Sequence, residues 1–246
     1  MDRESLAQRL SAISTQWTLL FQAHQGSSET VATAQSQLMQ RYSGAVFRYF
    51  LGALRDPEVA TELSQEFALR FVRGDFRRAD PQRGRFRDYL KKALIHMVTD
   101  YQRMRQAWPR QLDPAAPELA DSHPESIHEE EEFLKSWREE LLERTWKALA
   151  EAQPTYHAVL LYRLENPDAP STGVAQELSV QLGKPLNAAA VRKATQRAHE
   201  KFADLLLDEI QHSLGTAATA ALRDELIALD LLRYCRSALE RREAKG

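Results

Sequence analysis

The 246-residue chain has one cysteine, nine glycines and no long apolar run. A single cysteine, Cys235, excludes a disulfide framework, a cysteine-based zinc site and a CxxC redox motif. Nine glycines are about half of the usual share of roughly 7%, which favours helices over turn-rich sheets. No segment reaches the roughly 18 apolar residues of a membrane span, and the chain does not start with the apolar core of a signal peptide. We therefore expect a cytoplasmic protein that does not contact a membrane.

Motifs for catalysis are also lacking. None of the seven histidines lies three or four residues from another, and there is no HExxH, no glycine-rich phosphate loop and no GxSxG. His128 stands beside four glutamates, but a solvated acidic run explains that segment more simply than a metal site does. The sequence therefore predicts a protein that is not an enzyme and holds no cofactor or metal.

Charge is present in two opposite blocks, although the net charge is only −2. Residues 70–105 contain eleven bases and four acids, a balance of +7. Residues 113–132 contain eight acids and no lysine or arginine. A basic block followed by an acidic one predicts two surfaces with different partners, although two solvated surfaces would give the same pattern.

Prolines divide the chain. Four of them, at positions 109, 114, 117 and 124, fall within sixteen residues, and proline at this density blocks helix propagation. We predict an acidic linker over 107–130 between two helical domains, 1–106 and 131–214, followed by a C-terminal extension over 215–246.

Apolar spacing predicts an all-α fold, since residues recur at helical intervals and no useful length alternates with period two. The predicted helices are Gln37–Leu54, Val59–Val72 and Phe86–Met104 in the first domain, Phe133–Ala152, Thr155–Leu164, Thr172–Leu182 and Asn187–Leu214 in the second, and one tail helix over about 218–242. Asp56 and Pro57 separate the first two helices. In the tail, the apolar stripe is Leu222, Leu226, Leu229, Leu232 and Cys235.

Residues 171–202 are typical of a helix-turn-helix. Thr172 is a candidate cap for the first helix, Gly183–Pro185 favour a turn, and Asn187 is a good N-cap for the second helix. The outward face of the second helix combines small residues with long donors, which suits a major groove. An ordinary helical hairpin with a basic surface is the alternative. The candidate duplex-reading residues are Asn187, Arg192, Lys193, Gln196 and Arg197.

Three motifs resemble those of a known family. Leu63–Ala68 and Ala79–Leu90, the second reading ADPQRGRFRDYL, resemble region two of extracytoplasmic-function sigma factors of the sigma-70 family, in their long variant. Ala189–Arg192 with Gln196 and Arg197 resemble the recognition helix of region four. The resemblance covers roughly residues 14–234 and is weakest in the linker.

The resemblance implies partners and residue roles. It implies a core-binding helix that docks on RNA polymerase through Glu62, Gln65, Glu66 and Arg70. It implies a promoter-melting and downstream-element surface formed by Arg83, Arg85, Arg87, Lys91, Lys92, His96, Asp100 and Arg103. It also implies a linker that threads polymerase channels, although a merely soluble tether fits that composition as well.

Two departures from the family pattern concern regulation. Val59–Thr61 replace residues that are usually more acidic, so Thr61 is a candidate phosphorylation site for a serine/threonine kinase; a neutral helix residue is the simpler interpretation. The tail beyond region four is expected to pack on its own chain or to accept a regulator such as an anti-sigma factor.

We therefore expect a sigma factor that joins RNA polymerase core and reads promoter DNA. The alternative is a helix-turn-helix regulator that binds duplex DNA without polymerase. Core binding separates the two.

Overall fold

The computed structural model describes residues 20, 22–24, 27–76, 86–112, 127–214 and 219–244. Helices and turns make up these residues, without a strand among them, so the all-α prediction is confirmed. The helices are α1 (Ser28–Leu54), α2 (Pro57–Arg73), α3 (Phe86–Leu112), α4 (Ile127–Ala152), α5 (Pro154–Glu165), α6 (Ser171–Leu182), α7 (Ala188–Leu214), α8 (Thr219–Ala228) and α9 (Leu232–Glu243).

Contacts group the chain into two compact units. Unit 1 comprises Met1–Glu140 with Ser213–Thr216, and unit 2 comprises Leu141–His212 with Ala217–Gly246. Helix α4 therefore contributes its first half to unit 1 and its second half to unit 2.

Local signals define helix α2. The Asp56 carboxylate accepts hydrogen bonds from the backbone amides of Glu58 and Val59 at 3.0 and 3.2 Å, which satisfies two of the donors that a helix start leaves free. Pro57 occupies the first helical turn, where its missing amide costs nothing. Gly74 ends the helix at φ 88°, a conformation that suits glycine. The predicted separation of α1 from α2 at Asp56 and Pro57 is confirmed.

Unit 1 has an aromatic core. Tyr42 of α1 lies between Phe86 of α3 and Trp137 of α4, with ring centroids 5.0 and 5.3 Å apart. Tyr49 contacts Phe133 of α4 edge to face at 5.9 Å. The first half of α4 is thus a core helix of unit 1. Phe86, Leu90, Leu94 and Met97 of α3 are also buried, at helical spacing.

Three helices extend beyond their predicted bounds by more than two residues. Helix α1 begins at Ser28 rather than Gln37, because the Ser27 hydroxyl accepts a hydrogen bond from the amide of Thr30 and caps it early. Helix α3 continues past Met104 to Leu112 and includes Pro109, so the prediction that this proline blocks the helix is wrong. Helix α4 begins at Ile127 rather than Phe133, and its early glutamates favour a helix N-terminus. Helix therefore occupies both ends of the predicted linker, 107–112 and 127–130; residues 113–126 lie outside the described part.

Unit 2 contains the helical hairpin of α6 and α7. Its core joins Val159 of α5 with Val174 and Leu178 of α6 and Val191 of α7, all fully buried. A second cluster packs Leu149, Leu160 and Ala198 against aromatic neighbours.

The turn between α6 and α7 is fixed by hydrogen bonds. Gly183 caps α6 at φ 61°, and the Ser179 hydroxyl accepts from the amide of Leu186 at 2.8 Å. The Asn187 side chain accepts from the amide of Ala190 at 2.8 Å, which confirms the predicted cap of α7. The predicted cap Thr172 is wrong, because α6 begins one residue earlier at Ser171 with Pro170 preceding it, so Thr172 lies inside the first turn.

The tail is two helices, not one. Asp230 adopts the left-handed conformation, φ 53°, and the amide of Leu231 bonds the carbonyl of Leu226 at 2.8 Å, as at a helix C-terminus. This turn changes the apolar register. Leu231 is buried in place of the predicted Leu232, while Leu222, Leu226, Leu229 and Cys235 are buried as predicted.

Candidate polymerase and DNA contact surfaces

Helix α2 presents the predicted core-binding residues on its outer face. Glu62 and Gln65 are exposed, and Glu66 and Arg70 are half-buried. Arg70 Nε lies 2.8 Å from Glu66 Oε1, one helical turn away, so these two side chains form an ion pair within the helix. Thr61 is exposed, and its hydroxyl donates to the carbonyl of Pro57 at 2.7 Å. The structure places the four predicted residues together.

Two apolar residues extend this face and were missed in the sequence. Leu69 and Val72 are 50% and 54% exposed, four and seven residues after Gln65. The helix thus combines an acidic end with an apolar end on its solvent side. Large apolar residues at a solvent-facing helical spacing were the available signal, but a sequence alone does not show which side of α2 faces the core.

The predicted strand-binding residues of α3 divide into two groups. Arg83 and Arg85 lie outside the described residues. Arg87 and Lys91 lie against the protein, with side chains only 12% and 20% exposed. Lys92, His96, Asp100 and Arg103 are exposed, and their spacing of four, four and three residues places them in one stripe. The stripe carries the outward charge of α3.

Arg87 and Lys91, the two residues that lie against the protein, each form an ion pair with an acidic side chain. Arg87 Nη2 lies 3.3 Å from Asp88 Oδ1, and Lys91 Nζ lies 2.6 Å from Glu130 Oε1. Glu130 belongs to the acidic run before the core half of α4. The acidic run thus reaches a residue of the predicted DNA path in unit 1.

Helix α1 accommodates the acidic side of α4. Gly44 and Gly52 lie two turns apart on α1 with Arg48 between them, and a side chain at either glycine would collide with the carboxylate of Glu140 or Glu132. Arg48 forms an ion pair with Glu140. Missing side chains on α1 therefore let α4 approach closely, and Arg48 compensates part of the buried acid.

The recognition half of α7 is open to solvent. Arg192, Lys193, Gln196 and Arg197 are all exposed, whereas Val191 and Ala198 on the opposite side are buried. The side-chain amide Nε2 of Gln196 donates a hydrogen bond to Glu200 Oε1 at 3.1 Å. The predicted duplex-reading residues therefore share one face, with Asn187 at its start as the cap. Lysine and arginine suit phosphates, and glutamine or arginine can reach base edges.

Two side chains, the buried Cys235 and the half-buried Tyr89, have a raised pKa. Burial raises the pKa of the Cys235 thiol to about 11, with Arg242 lowering it in part and Asp204 raising it. Burial, and secondarily Asp75, raises the pKa of Tyr89. Both groups are therefore neutral near pH 7.

The described residues contain no cluster of three or more metal-ligating side chains. Across the same part of the chain, no helix combines the length and the low polarity that crossing a bilayer requires. Comparison with protein-family models, with curated proteins and with solved structures found no significant match to this chain.

Proposed function

We propose that the chain is a sigma factor of the extracytoplasmic-function type, which binds RNA polymerase core through unit 1 and promoter DNA through both units. The observation that carries DNA binding is the exposed face of α7 in a capped helix-turn-helix, and the resemblance of Leu63–Ala68 and Ala79–Leu90 to region two is what favours a sigma factor. A helix of this kind can place its first turns in a major groove.

The polymerase contact is assigned to the outer face of α2. Carboxylates at Glu62 and Glu66 suit bidentate pairing with arginines, and the exposed Leu69 and Val72 add apolar area beside them. A helix face that only contacts solvent would explain the exposed acids but not the exposed Leu69 and Val72. The resemblance of Leu63–Ala68 to the family's core-binding motif supports the same assignment.

The promoter-melting contact is assigned to α3. Its exposed stripe supplies Lys92 and Arg103 for phosphates and His96 for phosphates or bases. The segment between α3 and α4 then joins two helices of unit 1, and the division between the region-two and region-four parts falls within α4, between Glu140 and Leu141.

The test uses polymerase core and the full chain. Glu66→Arg is expected to abolish co-purification with core polymerase and run-off transcription, since it replaces a docking carboxylate by a positive charge that repels the polymerase arginines. The swap Glu66→Arg with Arg70→Glu restores the ion pair within α2 with reversed polarity. If the swap recovers core binding, the pair is structural and docking lies elsewhere.

A helix-turn-helix regulator remains the second candidate, favoured by the open face of α7 alone. A regulator binds its duplex without core polymerase and gains nothing from it. A wild-type chain that binds duplex DNA but neither binds core nor supports initiation would establish the regulator and refute the sigma factor.

A further inference from the structure

Helix α7 carries a stripe whose charge changes sign along its length. Residues 193, 197, 204 and 208 recur at intervals of four, seven and four, so they lie on one side of the helix. The first two are Lys193 and Arg197, and the last two are Asp204 and Asp208. Seven residues of rise separate Arg197 from Asp204 by about 10 Å, close to the screening length at physiological salt, so the acids would repel phosphates held by the basic half.

The tail covers the acidic half of this stripe with two arginines. Arg242 Nη2 lies 2.6 Å from Asp208 Oδ1 and 2.7 Å from the carbonyl of Asp204, and Nη1 donates to Gln211 at 3.2 Å. Arg241 Nη2 lies 3.1 Å from Asp204 Oδ1. Two guanidinium groups therefore face two carboxylates.

The covering helix is anchored independently of these pairs. Cys235, Ala238 and Leu239 of α9 are buried, as are Leu222 and Leu226 of α8. Arg223 of α8 also pairs with Glu243 of α9 at 2.8 Å, which joins the two tail helices. The apolar contacts hold α9 in place, so the arginines supply charge at a fixed position.

We propose that Arg241 and Arg242 are positioning residues for duplex DNA: they neutralise Asp204 and Asp208, so that phosphates meet a recognition helix on which these two acids are compensated. The tail then contributes to DNA affinity without touching the bases. This inference rests on duplex binding by α7, which both candidate functions in the previous section require.

Two single variants separate charge from architecture. Arg242→Gln and Asp208→Asn break the same ion pair but change the charge beside the stripe in opposite directions. We expect Arg242→Gln to weaken binding to a mixed-sequence DNA duplex about threefold and Asp208→Asn to strengthen it by about the same factor at low salt. Both differences shrink as salt is raised, because the interaction is screened.

The matched control is Arg236→Gln. Arg236 is exposed on the same helix, and the structure describes no ion pair for it among the described residues. Its substitution removes the same charge from the tail but not from the acidic half of α7. We expect it to change duplex affinity less than Arg242→Gln does.

Cys235 reports the position of the tail in each variant. It is the only cysteine in the chain and is fully buried, so a thiol reagent labels it only when the tail opens. Arg242→Gln and Asp208→Asn are expected to stay protected. The charge swap Arg242→Asp with Asp208→Arg is expected to bind the duplex as wild type does.

Each outcome decides the matter. If both single variants weaken duplex binding, the ion pair is a structural clamp. If neither variant changes duplex binding although the wild type binds, the charges of Asp204 and Asp208 do not affect DNA affinity. Either result overturns this proposal and leaves the proposed function standing. A wild-type chain that does not bind duplex DNA overturns both. Duplex binding without polymerase binding removes the sigma factor alone.

Discussion

The two helices that carry the predicted DNA contacts, α3 and α7, differ in what their basic residues face. In α7, Arg192, Lys193 and Arg197 are exposed. In α3, Arg87 and Lys91 lie against the protein and pair with acids. The difference follows from packing: the first half of α4 brings an acidic run to α3, whereas the recognition half of α7 has no acidic helix over it among the described residues.

Under the proposed function, unit 2 receives a duplex without rearrangement, while Lys91 in unit 1 must first release Glu130 before it meets a DNA strand. A single exposed ion pair contributes about 0–1 kcal/mol, so the Lys91 contact is weak enough to exchange for a phosphate. The aromatic packing of α4 is what keeps Glu130 nearby. If unit 1 binds DNA as proposed, the acidic segment competes with the strand for Lys91 and does not exclude it.

The largest expected effect comes from detaching α4. Trp137→Ala removes a ring that stacks on Tyr42 and is expected to lower the free energy of unfolding of unit 1 by about 3–5 kcal/mol. Urea unfolding followed by circular dichroism measures the loss. The released acid should also let unit 1 bind single-stranded DNA more tightly. Trp146→Ala, in unit 2, is the control, and equal strand affinity in the two variants would contradict this account of α4.

Substitutions on the exposed face of α7 should weaken the binding of unit 2 to duplex DNA. The double variant Gln196→Ala with Arg197→Ala is expected to cost at least one base contact, about 1–3 kcal/mol of promoter-duplex binding. Fluorescence anisotropy measures it, and co-purification checks that core binding is intact. Transcription from every promoter at wild-type levels would place the recognition face elsewhere.

We expect alkaline pH to lower the free energy of unfolding of unit 2 at a lower pH than that of unit 1. The pKa of Cys235 is raised from 9.0 to about 11 on folding, so the folded state holds the proton more tightly, and its contribution is complete below pH 9 and is lost between pH 9 and about 11. We expect unit 2 to lose about 1–3 kcal/mol over this window. The loss attributed to Tyr89 in unit 1 starts only above pH 10.

Equilibrium unfolding at a series of pH values tests this order, with probes placed in each unit. Cys235→Ala should flatten the profile between pH 9 and 11 while lowering the overall stability through a small cavity. A profile that stays equally steep in that variant would assign the loss to other groups.

A small effect is expected from the acid that faces α3. Glu130→Gln removes the partner of Lys91 and should tighten single-strand binding by about 0.2–1 kcal/mol, which is about 1.4-fold to fivefold. The exposed Glu151→Gln on the same helix is the control for charge alone. A filter-binding or anisotropy assay at two salt concentrations suffices. If both variants gain the same affinity for single-stranded DNA, the effect comes from the net charge of the protein and not from the contact between Glu130 and Lys91.

The smallest effect is expected at Thr61. Its hydroxyl already bonds the carbonyl of Pro57, and Glu58, Glu62 and Glu66 supply acid to the same helix. We expect Thr61→Ala and Thr61→Glu to bind core polymerase as wild type does. Tighter binding by Thr61→Glu alone, with promoter activity in cells following it, would instead establish Thr61 as a phosphorylation switch.

Local chemistry determined most helix boundaries. Asp56 with Pro57, Gly74, Gly183 and Asn187 each act through their own backbone or through an amide three residues away, so their effect is readable in the sequence. The break at Asp230 escaped prediction because an aspartate rarely takes the left-handed conformation, and nothing nearby marks it as a turn. The cap of α6 was misassigned because its N-cap is Pro170, which offers no side-chain acceptor, so no capping residue marks this helix start in the sequence.

By itself, the sequence determined that the chain is helical, where most helices end and which residues share a helix face, because spacing and capping are local. Only the tertiary structure decided that α4 is a core helix of unit 1, that Lys91 meets Glu130, that Leu69 and Val72 face solvent, and that Arg242 covers Asp208. These contacts join residues up to 95 positions apart, as Tyr42 and Trp137 are. Packing of whole faces selects such partners, and no local pattern encodes them.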